Sequence, residues 1–231
     1  MNEKTLGILG GMGPEATVYF MNKIIELTPA ERDQDHIRMI VINDPKIPDR
    51  TAAILGGGEN PVPVLIRDAK LLEDAGADLI AVPCNTFFFF YEEVQKEVSI
   101  PIIHMIEETA KAIEKAGIKK AGIVATKGTL KTRLYHNALG RRGIELIEAS
   151  DIEGVMRAIY NIKAGKKQGA KQKFLELFRE LRNKGAEVVI AGCTEIPLVI
   201  SKEEFPYLDP MEVVAKIIIH EIKGVSLKLL T

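Results

Sequence analysis

Cys84 and Cys193 are the chain's two thiols, and the segments that carry them read as copies of one another. Gly76-Ala77-Asp78-Leu79-Ile80-Ala81-Val82-Pro83-Cys84-Asn85-Thr86 aligns without a gap on Gly185-Ala186-Glu187-Val188-Val189-Ile190-Ala191-Gly192-Cys193-Thr194-Glu195. In each copy an apolar run of strand character ends and the cysteine follows, trailed by polar residues. A single cysteine in that place is usually a small buried hydrophobe. The same placement at matched positions of a repeat points to a shared task. In open α/β sheets, ligands sit in the crevice beyond the C-terminal ends of the strands. A thiol at the start of a following helix is expected to have a lowered pKa, because the helix dipole and free N–H groups favour the thiolate. Asn85, Thr86 and Thr194 can cap those helices or hydrogen-bond a substrate.

Halves related by a pseudo-twofold axis would set the two thiols on opposite walls of one cleft. Racemisation needs that arrangement: one group removes an α-proton from one face, and another delivers a proton to the other. The carbanion-like transition state calls for N–H donors and cations around the substrate carboxylate. The glycine loops Gly10-Gly11-Met12-Gly13 and Thr126-Lys127-Gly128-Thr129 offer such N–H groups, with Met12 and Gly13 from the first and Thr126 and Thr129 from the second. A decarboxylase reprotonates a single face, so a thiol pair argues for two-faced transfer. A disulfide needs Cα atoms within roughly 7 Å, closer than a pair gripping a substrate.

The elements that must hold these residues alternate. Strand-like runs at residues 6–9, 37–42, 79–82, 100–103, 121–125, 145–147 and 188–191 are apolar on both faces, as buried parallel strands are. Helix-period segments span 15–27, 64–75, 105–116, 130–139, 152–163, 172–183 and 211–223; Pro14 suits a first turn, and Gly76 and Gly117 suit C-caps. The expected class is α/β: two similar doubly wound domains with parallel-sheet cores, related by pseudo-twofold symmetry, with the active site in the interdomain cleft. The glycine motif repeats too, since Gly7-Ile8-Leu9 with Gly13 matches Gly122-Ile123-Val124 with Gly128. The first domain is placed at residues 1–104 and the second at 105–205. Residues 206–231, which show no counterpart in the first half, are expected to pack back on the first domain.

Composition narrows the function classes. The chain has 231 residues, 46% hydrophobic and 27% charged, with a net charge of −1. No basic stripe marks a nucleic-acid or membrane partner, and no apolar run is long enough to span a bilayer. Met1-Asn2-Glu3-Lys4 opens no signal peptide, so a cytoplasmic, reducing setting with free thiols is expected. His36, His136 and His220 have no ligand spacing with each other or with the cysteines, which disfavours a metal site. His104 reads as a hydrogen-bonded structural residue. Gly11-Met12-Gly13-Pro14-Glu15-Ala16 fits a dinucleotide-binding pattern, with Asp44 after the next strand. Pro14 sits inside that pattern, however, and the loop's echo in the second half suits a symmetric substrate cleft better.

Gly7-Ile8-Leu9-Gly10-Gly11-Met12-Gly13-Pro14, Pro83-Cys84-Asn85-Thr86 and Ala191-Gly192-Cys193-Thr194-Glu195 together resemble the aspartate/glutamate racemase family, nearest to archaeal-type aspartate racemases. The likeness extends through Asn43-Asp44-Pro45-Lys46-Ile47-Pro48-Asp49-Arg50-Thr51, Ile106-Glu107-Glu108-Thr109 and residues 160–165. The resemblance implies an enzyme without pyridoxal phosphate or metal, built as two similar domains and commonly a homodimer. It implies Cys84 and Cys193 as the acid/base pair. Arg50 and Lys163 fall at family positions that grip a side-chain carboxylate, which makes aspartate the first-choice substrate. Asn85, Thr86 and Thr194 fall at positions that hold the α-carboxylate or α-amino group, and Thr126 and Thr129 fit the second loop in the same way. Glu195 either orients a ligand amine or is a first-turn helix carboxylate.

Arg50 lies in a polar stretch, residues 44–61, whose Gly56-Gly57-Gly58 suggests a mobile lid. The family often has a small residue and then His after Cys-Asn-Thr, whereas here Phe87-Phe88-Phe89-Phe90-Tyr91 follows. Aromatics lining the cleft would favour a less polar amino acid. The alternatives to an acidic amino-acid racemase are an altered-specificity or non-catalytic amino-acid binder and a dinucleotide-binding enzyme.

Overall fold

The computed structural model describes residues 4–230; Met1-Asn2-Glu3, read above for export-signal character, lie outside the described residues. In chain order the elements are β1 (Leu6–Gly10), α1 (Pro14–Leu27), β2 (Met39–Asn43), α2 (Arg50–Leu55), α3 (Val62–Asp74), β3 (Leu79–Ala81), α4 (Tyr91–Gln95) and α5 (Met105–Lys115). The second half supplies β4 (Lys120–Ala125), α6 (Lys127–Lys131), α7 (Leu134–Gly140), β5 (Glu145–Glu148), α8 (Ile152–Lys163), α9 (Ala170–Asn183), β6 (Val188–Gly192) and α10 (Pro210–Lys223).

Two parallel three-stranded sheets result, in the orders β2-β1-β3 and β5-β4-β6. The first strand of each half lies at the centre, which is why β1 is buried along its whole length and β4 almost so. Helices cover both sheets, in the α/β class expected. Crossover helices such as α3 and α9 bury one apolar stripe, for example Leu65, Ala69 and Leu72, and end at glycines with positive φ. No helix among the described residues is long and apolar enough to cross a membrane.

The structure departs from the sequence reading in ways that matter for the site. Residues 100–103 do not form a strand. Ile102 makes a single parallel bridge to Ile80, because Pro101 has no N–H to extend the ladder. Leu208 makes the equivalent bridge to Ile190. The segment after Pro206 therefore does have a counterpart in the first half: Ile102 followed by α5 corresponds to Leu208 followed by α10. These closing helices are exchanged. Helix α5 packs on α7 of the second half, α10 packs on α1 of the first, and the two helices pack on each other. The helix expected over 130–139 is broken into α6 and α7 at Arg133, whose φ is +56°.

The stretch read as a lid contains α2. Asp49 caps it, its Oδ1 accepting from the Ala52 N–H at 2.8 Å, and Gly56 closes it in the left-handed conformation. Gly56 ends that helix, and Gly57 and Gly58 follow it in a bend.

Candidate active site

Cys84 stands three residues beyond β3, and Cys193 directly follows β6. Both are buried and free, and both line one cavity, together with Met12, Arg50, Asn85, Thr86, Thr126, Lys163, Thr194 and Glu195. The cavity has about 20 Å³ of free volume, room for about one water molecule. Beyond the wall formed by Met12, Asp49, Arg50, Lys163 and Glu195 lies a larger vestibule of about 490 Å³. Gly13 lines that vestibule and not the inner cavity. Thr129 sits behind the wall, with its hydroxyl 2.9 Å from that of Thr86 and 3.0 Å from that of Thr126. Thr86 and Thr126 are 3.2 Å apart, so a triangle of hydroxyls joins the two halves beside Cys84.

Glycine is required where the loops turn inward. Gly11 has φ +93°, and a Cβ there would lie 2.3 Å from the Asp44 backbone. At Gly128 a Cβ would meet the Thr51 side chain at 2.8 Å, so this glycine lets α6 approach α2 across the halves. The loops offer fewer free N–H groups than expected, because the Gly11 N–H donates to Thr17 Oγ1 and the Thr129 N–H to Thr126 Oγ1.

Arg50 is buried at the start of α2. Its Nη1 donates to the carbonyls of Ile47 and Pro48 at 3.1 and 2.8 Å, and its Nη2 donates to that of Met12 at 3.2 Å. Those contacts fix the guanidinium, while the buried Nε has no protein partner. Asn85 is similar: its Oδ1 accepts from Tyr135 OH at 2.6 Å, which leaves the buried Nδ2 unpaired. Unpaired buried donors are costly, and both residues line the cavity. A ligand oxygen would satisfy either one.

Electrostatics centre on Glu195. Its Oε2 accepts from Cys193 Sγ at 2.7 Å and from Thr194 Oγ1 at 3.4 Å, and its Oε1 lies 3.5 Å from Lys163 Nζ. Burial and then the Glu195 carboxylate push the Cys193 thiol well above its ordinary pKa, against the pull of Lys163. This overturns the lowered pKa expected for that thiol. The polar residues after Cys193 lead only into a short 3-10 turn, Ile196–Leu198, which has too few aligned peptides to offset a neighbouring carboxylate. Burial would lower Lys163, but Glu195, Cys193 and Cys84 outweigh it and hold the ammonium form above its ordinary range.

The aromatic run does not enter the cavity. Phe87, Phe88 and Phe90 are buried in the core and Phe89 is half exposed, and none of them lines the site. Phe88 stacks on Tyr91 and packs against His104. His104 caps α5, its Nδ1 accepting the Glu107 N–H at 3.4 Å, and burial lowers its pKa. The cleft therefore gains no apolar wall from these residues. Asp49, Thr51 and Gly192 also line the cavity and were missed by the sequence reading. Asp49 and Thr51 flank Arg50, and Gly192 precedes Cys193, so adjacency to the motif residues was the available signal.

Comparison with known proteins adds the following. A family model described as Asp/Glu/Hydantoin racemase matches residues 9–218. The broad specificity amino-acid racemase RacX of Bacillus subtilis is 31% identical over 220 residues, 91% of this chain and 95% of that protein. The structure of Picrophilus torridus aspartate racemase superposes with a TM-score of 0.89 at 33% identity, covering 97% of this chain and 96% of that one. An aspartate racemase homologue from Pyrococcus horikoshii gives 0.75 at 29% identity, covering 95% and 99%.

Proposed function

The chain belongs to the Asp/Glu/hydantoin racemase family and is an amino-acid racemase, and from that premise we propose that it interconverts the enantiomers of an acidic amino acid, aspartate first, using Cys84 and Cys193 as the two proton-transfer groups. The observation that carries this reading is the meeting of two free thiols, one from each repeat, in a single polar cavity. In one direction Cys193 as thiolate removes the α-proton while the Cys84 thiol delivers a proton to the opposite face. In the other direction the roles reverse. The Asn85 Nδ2 and Arg50 Nε donors are suited to carboxylate oxygens, and the Lys163 ammonium adds a cation at the same wall.

Aspartate is favoured over an apolar amino acid because the cavity wall carries Arg50 and Lys163 and none of the phenylalanines. The free volume of the cavity is smaller than an amino acid, so the residues it shares with the vestibule have to shift on loading. The family likeness is also the ground for expecting a homodimer, which a molar-mass measurement in solution tests.

The test is incubation of L-aspartate and a panel of other L-amino acids in deuterated water, following optical rotation and α-deuteration. Racemisation with deuterium incorporation is expected for aspartate, and Cys84→Ala and Cys193→Ala should each abolish it. Full turnover in either variant refutes the thiol assignment. A binder that does not catalyse would leave both signals unchanged.

A further inference from the structure

We propose that Glu195 is the positioning residue that holds the proton of Cys193, so that the two thiols play chemically unequal parts in a reaction that treats both substrate faces. This rests on the racemase reading above and goes beyond it by separating the two halves. Cys84 and Cys193 occupy the same place in the repeat, and two residues further on the first copy has Thr86 and the second has Glu195. Thr86 bonds to the hydroxyls of Thr126 and Thr129, so its side chain is committed to the opposite half. Glu195 turns its Oε2 onto Cys193 Sγ at 2.7 Å while Oε1 faces Lys163 at 3.5 Å. Among the described residues, therefore, only Cys193 of the two thiols has a carboxylate in hydrogen-bond contact.

A carboxyl is a far stronger acid than a thiol, so the pair rests as Cys193–SH beside Glu195 carboxylate. When Cys193 acts as base, its proton passes to Glu195 Oε2. The resulting thiolate takes the α-proton of the substrate, and the electron pair left on the α-carbon is quenched by the Cys84 proton. The enzyme then holds Cys193–SH, neutral Glu195 and Cys84 thiolate, and the proton count is conserved. The reverse reaction retraces these steps. Lys163 of α8 lies 3.5 Å from Glu195 Oε1, on the side away from Cys193. The charged and titratable groups facing Cys193 in the cavity are Glu195, Lys163, Arg50, Asp49 and Cys84.

The experiment uses Cys84→Ser, in which Cys193 is the one thiol left. This variant cannot racemise, but it should still exchange the α-proton of one enantiomer for solvent deuterium. Adding Glu195→Gln should have two effects. The Cys193 titration, read by NMR of isotope-labelled cysteine, should move down by about one to two pH units as the negative neighbour disappears. At the same time α-exchange should fall roughly a hundredfold, the size of a lost proton acceptor. Faster or unchanged exchange with a lowered titration would mean that Glu195 only suppresses the thiolate, and would overturn the proposal. An unmoved titration would overturn it as well. Glu195→Asp draws the acid back by one methylene without removing it. If the Gln variant does not fold, slowed exchange in the Asp variant supports the proposal and parental exchange refutes it. Failure of the unmodified chain to racemise any enantiomer would instead refute the racemase reading itself.

Discussion

Tyr135→Phe isolates how the fold aims one donor of the candidate site. Tyr135 lies on α7, fully buried, and its hydroxyl donates to Asn85 Oδ1 at 2.6 Å across the two halves. That bond decides which way the Asn85 amide faces. With Oδ1 held by the phenol, Nδ2 is left without a partner on a residue that lines the cavity. Phenylalanine fills the same volume, so no cavity opens and the perturbation is confined to the hydroxyl, which bonds to Asn85 and to Thr109. The net loss of the Asn85 bond is worth about 1 kcal/mol, and an orphaned buried acceptor costs about 1–3 kcal/mol. In a chain of this size each kcal/mol moves Tm by about 2–4 °C, so the variant should melt roughly 3–10 °C lower. The freed amide loses its orientation toward substrate, and a loss of about 1.4 kcal/mol in the transition state is a tenfold fall in kcat/KM. Thermal unfolding and racemisation kinetics measure the two effects. Combining the change with Asn85→Ala should give a coupling energy of about 0.5–3 kcal/mol, since both act through one contact. Parental stability and parental kcat/KM in Tyr135→Phe, or strict additivity with Asn85→Ala, would show that the phenol does not aim the amide.

Two further changes probe the frame around the site. Arg50→Lys keeps the charge but cannot span the carbonyls of Met12, Ile47 and Pro48 that the guanidinium links; denaturant unfolding should show a loss of about 2 kcal/mol or more, with KM raised, and parental values of both would contradict this. Asp209 is buried where α10 begins, accepting from Tyr19 OH at 3.0 Å, and burial raises its pKa from 3.8 to about 6. Below the unfolded pKa the carboxyl is protonated in both states; as pH rises toward the folded pKa the unfolded chain gives up the proton more readily, so stability falls across pH 4–6 and then levels. Comparing unfolding free energies at pH 4 and pH 7, Asp209→Asn should lack a drop of about 3 kcal/mol that the parent shows, and identical pH dependence in the two chains would count against it.

The thiol positions were legible because the repeat set both cysteines in register, and a strand end restricts where the next side chain can point. Arg50 was placed beside the substrate by the family likeness alone. Its local sequence suggested a lid, because Gly56 reads equally as a loop tip or as the left-handed close of α2. The aromatic run could not be oriented from spacing before its helix type was known. Asn85–Phe89 is a 3-10 turn, in which residues three apart share a side, so Phe87 and Phe90 turn inward while Phe89 is exposed. The closing bridges at Ile102 and Leu208 are too short to carry a strand pattern, which hid the equivalence of α5 and α10. The ionisation of Cys193 was out of reach for a different reason: it depends on a carboxylate folded back onto the sulfur and on a lysine brought up from another helix.

Duplication explains how two thiols come to share a cavity, and the exchanged helices α5 and α10, packed on each other and each on the opposite half, tie the halves together. It does not require the thiols to be alike. The enantiomers of a substrate have equal free energy in water, so their equilibrium constant is unity, and kcat/KM must be the same in both directions whatever the protein does. An unequal pair such as Cys193 with its carboxylate and Cys84 without one cannot favour one hand at equilibrium. It can only divide the shared kcat/KM differently, with kcat and KM both higher for one enantiomer and both lower for the other. Selection for turnover in both directions therefore leaves the two halves free to diverge around their sulfur atoms. Thr86 against Glu195 is the divergence this chain carries at that position.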